Sequence, residues 1–162
     1  MASFTLHTLK EVHSFYRNFA VYFDKEADAS TIGGLTMSVF YLADKKHMIE
    51  VYGDEALPLA VNGEELKAIA PNTVDAAKEK HVPVATYDAA KNEVHVTVGS
   101  VTHPMTEEHL IEYIILVTKK GVQRVDLTAA DAPEVTFRLM DGDAPVRVIE
   151  HCNLHGHWQT EF

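Results

Sequence analysis

The residue pattern is that of a mainly β protein whose C-terminal part is a sandwich or barrel. Three features support this. From Val82 onward, short β-branched and aromatic runs recur at about the 8–12-residue spacing of such folds. Turn-forming clusters separate several of them: Lys119-Lys120-Gly121, Asp131-Ala132-Pro133 and Asp141-Gly142-Asp143. No helical periodicity lies between them, and 162 residues suffice to bury a core.

The elements read in chain order as follows. Residues 8–23 read as an amphipathic helix, with Thr8 and Glu11 as a capping box and Leu9, Val12, Phe15, Tyr16, Phe19 and Phe23 at three- and four-residue steps. A break covers 28–34, with Gly33-Gly34 its strongest signal. Apolar stretches at 36–42, 48–52 and 57–61 suggest a small β unit, and Asn62-Gly63 is a hairpin dipeptide. This unit ends near Pro71-Asn72. Val94, Val96 and Val98 then alternate with His95 and Thr97, which places His95 on the solvent side. Further strands are expected at 109–118, 122–127, 134–139 and 146–150.

Composition narrows the function. Fourteen Lys and Arg against 24 Asp and Glu give a net charge of −10. No basic cluster offsets that field, which argues against nucleic acid and anionic membrane as partners. No apolar run approaches a membrane span, and the N-terminus lacks the basic start and apolar block of a secretory signal. The single cysteine, Cys152, excludes an intramolecular disulfide and suits a reducing cytoplasm. Histidine is abundant, with ten copies, and neutral imidazole is the commonest metal ligand.

Three segments concentrate the candidate ligands. Cys152 and His155 form a C-x-x-H pair, a spacing that lets one turn present a thiolate and an imidazole to one ion. His103 and His109 bridge a turn into an expected strand. His81 opens an extended stretch before Val82-Pro83. Each segment sits at a strand edge or loop, where a rigid sandwich carries its functional groups. Four imidazoles and a thiolate exceed the tetrahedral zinc set. They suit a metal accepting five or six ligands, and point to redox iron rather than magnesium or calcium.

The segments 71–84, 99–114, 132–134 and 152–158 (Cys-Asn-Leu-His-Gly-His-Trp) resemble, in order, the superoxide reductase family, also called desulfoferrodoxin and neelaredoxin. The resemblance spans 71–162. It implies an immunoglobulin-like β-sandwich with one solvent-facing iron, His81, His103, His109 and His155 as equatorial imidazoles and Cys152 as the axial thiolate. It also implies one-electron reduction of superoxide to hydrogen peroxide, with a rubredoxin-like donor. Glu79 resembles the family glutamate that reaches the ferric site, and Lys80 the lysine beside the open position.

Residues 40–72 also resemble the family's small N-terminal module, which holds a second iron on four cysteines in two-iron members. The matching positions here are Ala43, Lys46, Val61 and Asn62, none of them a thiolate. The expectation is therefore a one-iron cytoplasmic enzyme with two parts: an α+β module at 1–70 and an iron domain at 71–162. Residues 1–35 are assigned to packing in a homo-oligomer, a dimer or tetramer. The rival reading is a non-catalytic iron-binding or redox-sensing protein. The remaining histidines, with Trp158 and Tyr113, are read as surface or packing residues.

Overall fold

The computed structural model describes residues 38–42, 47–52 and 58–162, all within one compact unit, Gly34–Phe162. The expected helix over 8–23, the break at 28–34 and positions Ala43 and Lys46 lie outside the described residues. Eleven strands and one helical turn are described: β1 (Ser38–Leu42), β2 (Met48–Tyr52), β3 (Leu59–Val61), β4 (Glu64–Leu66), α1 (Lys78–His81), β5 (Pro83–Asp88), β6 (Glu93–Val98), β7 (Ile111–Thr118), β8 (Val122–Asp126), β9 (Glu134–Arg138), β10 (Pro145–Cys152) and β11 (Gly156–Glu161). Among them, no helix is long and apolar enough to cross a membrane.

Two antiparallel sheets form the immunoglobulin-like sandwich: three strands in the order β5-β6-β9, and four in the order β11-β10-β7-β8. Alternation builds the core between them. Val94, Val96 and Val98 point inward from β6, while His95 and Thr97 point out. They meet Ile111, Ile114 and Leu116 of β7, Phe137 of β9, and Val148 and Cys152 of β10. Each such aliphatic side chain contributes about 1.5–3 kcal/mol by leaving water.

β7 is apolar on both faces because its outer face is covered as well. Tyr113, Ile115 and Val117 join Ile149 of β10 in a second cluster, which Phe40 of β1 completes. β1 and β2 pair antiparallel, and the Ile69 amide donates to the Phe40 carbonyl at 2.8 Å. The Asn62-Gly63 hairpin forms as expected between β3 and β4. Both residues have positive φ, 53° and 85°, as a two-residue primed turn requires.

The structure corrects the local reading of His81. This residue ends the helical turn α1 rather than opening the extended stretch, which begins at Val82 with ψ 120°. The restriction imposed by Pro83 acts on its immediate predecessor, Val82. His109 likewise precedes its strand. It lies in a tight bridge with Thr106, and β7 starts at Ile111.

One irregularity re-aims the chain near His109. The β7–β10 register shifts between the pairs His151–Tyr113 and Cys152–Ile111, leaving Glu112 as an extra residue. Tyr113 and Ile111, two positions apart, therefore face opposite sides of the sheet. Such a bulge redirects side chains at a sheet edge. Here it turns Ile111 inward at the start of β7, next to the segment that carries His109.

Candidate metal centre

Four imidazoles form a closed ring at one end of the sandwich. Ring centroids are 4.9 Å apart for His81–His103, 4.6 Å for His103–His109, 5.0 Å for His109–His155 and 4.7 Å for His155–His81. Neighbouring rings stand edge to face, at interplanar angles of 68° to 80°. The diagonal His81–His109 distance is 6.2 Å. Cys152 Sγ lies 3.5 Å from His155 Nδ1, and the ligand atoms of His81, His109, Cys152 and His155 all lie within 4.8 Å of one another.

Backbone carbonyls decide which nitrogen two of the rings present. His81 Nδ1 donates to the Ala77 carbonyl at 2.7 Å, and His103 Nδ1 to the Pro104 carbonyl at 2.6 Å. Their Nε2 atoms are thereby left as the free lone pairs. His81 Nε2 approaches His155 Nδ1 to 3.0 Å. His103 Nε2 and His109 Nε2 are buried and have no partner at all. A buried polar atom without a partner costs about 1–3 kcal/mol. His109 Nε2 belongs to the group of ligand atoms that converges beside the thiol, whereas His103 lies outside that group and joins it through the ring contacts with His81 and His109. Bare imidazole nitrogens beside a thiol are what a borderline-soft metal ion would satisfy.

Burial favours the neutral, ligating form of three of the imidazoles and disfavours the thiolate. Burial pushes the pKa of His81 down, opposed by the Ala77 carbonyl. Burial likewise pushes His103 down to about 4, with the Pro104 carbonyl opposing and the neighbouring imidazoles adding to the shift. His109 is lowered by burial, by His155 and His81, and by the Lys80 ammonium. Neutral imidazole is the ligating form. Burial raises the Cys152 thiol, but the backbone N–H groups of Leu154 and His155 pull the other way. Those donors stabilise sulfur-centred negative charge, the form a metal would hold. Glu150, buried on the same face of β10, is pushed up to about 9 by burial.

The expected residues divide by environment. His81 and His103 are 2% exposed, Cys152 is fully buried and His109 and His155 are half-buried. Glu79 and Lys80 stand exposed on α1, one turn of chain from the ring. Both act electrostatically on His81, and Lys80 also on His109. Trp158 stacks on His81 at 5.1 Å and 20°, and its indole N–H donates to the His155 carbonyl at 3.1 Å.

Sequence pattern does not reveal the residues that stitch the three segments together. Gly99 has φ +81°, and a Cβ there would lie 2.5–2.8 Å from the carbonyl oxygens of Val101, Lys80 and Glu79. Only glycine allows this close approach. It lets the Val101 amide donate to the Glu79 carbonyl at 2.9 Å, joining the His103 loop to α1. A glycine directly after the valine strand is the one signal of it in the chain.

Residues 73–161 match the family model described as Desulfoferrodoxin. The chain is 43% identical over 115 residues to the desulfoferrodoxin of Syntrophotalea carbinolica, covering 71% of this chain and 88% of that one. It is 44% identical over 115 residues to the desulfoferrodoxin of Nitratidesulfovibrio vulgaris, with the same coverage. Among solved structures, the superoxide reductase from Treponema pallidum matches with TM-score 0.63 and 42% identity, covering 77% of this chain and 99% of that one.

Proposed function

The chain belongs to the desulfoferrodoxin family, and from that premise we propose that it reduces superoxide to hydrogen peroxide at one mononuclear iron held by His81, His103, His109, Cys152 and His155. The observation that carries this reading is the ring of four imidazoles beside a buried thiol, with two buried ring nitrogens left bare. The donor set suits iron, since four nitrogens and one sulfur leave a sixth position for a small anion. The single cysteine leaves no four-thiolate site elsewhere in the chain, so one iron is expected. In this reading 71–162 is the iron domain and 1–70 the accessory part.

Iron bound there would supply the single electron that superoxide takes up, with two protons completing hydrogen peroxide. The residues of the chain do the rest. The Ala77 and Pro104 carbonyls hold His81 and His103 in the tautomer that ligates through Nε2. The Leu154 and His155 amides favour negative charge on Cys152, against its burial, and would support a metal-bound thiolate. The exposed Lys80 ammonium attracts an anion to a protein whose net charge of −10 repels it, because a local field can outweigh the global one. Glu79, on the same helical turn and electrostatically coupled to His81, is the carboxylate proposed to reach a bound iron. A rubredoxin-like iron protein restores the electron, the compartment is the cytoplasm, and the protein works as a homo-oligomer.

Metal analysis with visible spectroscopy tests the site. One iron per chain and a thiolate-to-iron band in the oxidised protein are expected, and a chain purified without iron that takes none up would overturn the reading. Pulse radiolysis tests the activity. An iron-loaded protein that fails to consume superoxide would instead favour an iron-binding or redox-sensing role.

A further inference from the structure

β10 leaves the sheet at Cys152 to make the Cys152–His155 turn, and β7 loses its partner there. The side chain of Asn153 takes the partner's place. Its Oδ1 accepts from the Leu110 amide at 3.1 Å, and its Nδ2 donates to the Glu108 carbonyl at 3.2 Å. Its own backbone amide donates to the Leu110 carbonyl at 3.2 Å. A primary amide has the donor and acceptor of a peptide unit, so it continues the ladder where the backbone turns away. The two residues it grips are the immediate neighbours of His109. From the other side, His109 exchanges both backbone hydrogen bonds with Thr106, each at 3.0 Å. Asn153 itself sits between Cys152 and His155.

We propose that Asn153 is a positioning residue that fixes His109 against Cys152 and His155, so that the fourth imidazole closes the ring. This rests on the metal-site reading above. Without the amide, residues 107–110 keep only the Thr106 bridge and the Asn153 backbone contact. His109 Nε2 then loses its fixed place opposite His81, and the site retains its other donors.

The test uses the full chain, freed of metal and titrated with Co(II), whose absorption reports thiolate and imidazole ligation. Asn153→Ala is expected to weaken Co(II) binding about 10–100-fold, the range for residues that orient ligands. In the metal-free protein, the Leu110 amide should exchange with solvent faster, which reads the clamp without any metal. The double variant Asn153→Ala/His109→Ala should bind no more weakly than His109→Ala alone, because Asn153 acts through His109. Unchanged affinity in Asn153→Ala, or losses that multiply in the double variant, would overturn the proposal. Should Asn153→Ala fail to fold, Asn153→Asp keeps the acceptor for Leu110 and loses the donor to Glu108. A weaker Co(II) affinity is expected there, and wild-type affinity would sink the idea. If the wild type takes up no Co(II), the metal-site reading fails and this proposal with it. If the wild type binds and Asn153→Ala binds equally, only this proposal fails.

Discussion

Two histidine clusters lie on opposite faces of the same sheet, and only one has the makings of a metal site. On the inner face, Cys152 and Trp158 accompany the four-imidazole ring. On the outer face, His151 and His157 lie with centroids 4.3 Å apart, and Tyr113 stacks on His151 at 5.1 Å. Ring proximity is the same in both. The difference is in the nitrogens. His157 Nε2 and the Tyr113 hydroxyl pair at 2.7 Å, and His151 Nδ1 donates to the Glu112 carboxylate at 2.8 Å. The inner ring leaves His103 Nε2 and His109 Nε2 bare. Unmet lone pairs, rather than a count of histidines, distinguish a site built for an ion from one that is already satisfied. Cavity size does not make the distinction. A cleft of about 620 Å³ borders the outer cluster, with Tyr113, Arg124 and His151 in its wall, and none of the five proposed ligands lines it.

The largest expected effect breaks the inner cluster at its sulfur. Cys152→Ser should abolish the thiolate-to-iron band and lower the superoxide rate by more than the roughly 10–100-fold that loss of a ligand-orienting group costs. An oxidised spectrum like that of the wild type would remove Cys152 from the ligand set.

Gly99→Ala should act on the same cluster without touching a ligand. Its Cβ would meet three backbone oxygens, and alanine is strained at φ +81°. A stability loss of about 1–3 kcal/mol in denaturant titration is expected, together with weaker iron retention. A variant as stable as the wild type that holds iron as tightly would show that α1 and the His103 loop are not held together through Gly99.

Lys80→Ala sharpens the comparison from the solvent side. A roughly tenfold slower second-order reaction with superoxide is expected, equivalent to about 1.4 kcal/mol. The dependence on ionic strength should flatten or reverse, since the attraction is gone and the acidic surface remains. Equal rates and equal salt slopes in the two proteins would leave Lys80 without a steering role.

The smallest effect belongs to the outer cluster. Tyr113→Phe removes the partner of His157 Nε2 and should cost about 1–3 kcal/mol while leaving metal content and superoxide rate unchanged. It should also change the alkaline limb of stability. Burial raises the Tyr113 pKa from 10.0 to about 12. The unfolded chain therefore releases this proton first, and stability falls as pH rises from 10 towards 12. The phenylalanine variant should lack that part of the slope. Loss of iron from Tyr113→Phe would mean that the two faces are coupled and the comparison is wrong.

Much of the sandwich is legible in the sequence. The Val94-Val96-Val98 alternation, the Asn62-Gly63 hairpin and the strand at Met48–Tyr52 follow from local pattern, because pleat and turn preferences act over neighbouring residues. β11 does not. Its Gly156-His157-Trp158 start reads as the tail of the C-x-x-H segment, and its strand character comes from pairing with β10. The four-residue α1 is too short for any helical period, so sequence pattern puts His81 on the wrong kind of backbone.

Donor types, their C-x-x-H and loop spacings, the lack of a four-thiolate set and the sandwich's alternation are all properties of the linear chain. Which donors meet is a property of the packed molecule. His81 and His155 are 74 residues apart along the chain and 3.0 Å apart at their nitrogens. The register shift at Glu112, the close approach at Gly99 and the Asn153 amide hydrogen bond link the segments that carry the candidate donors. Each depends on strand pairing, a hydrogen bond or a close approach between segments distant in sequence. Local propensity carries no information about such contacts, which exist only once the sheets have packed.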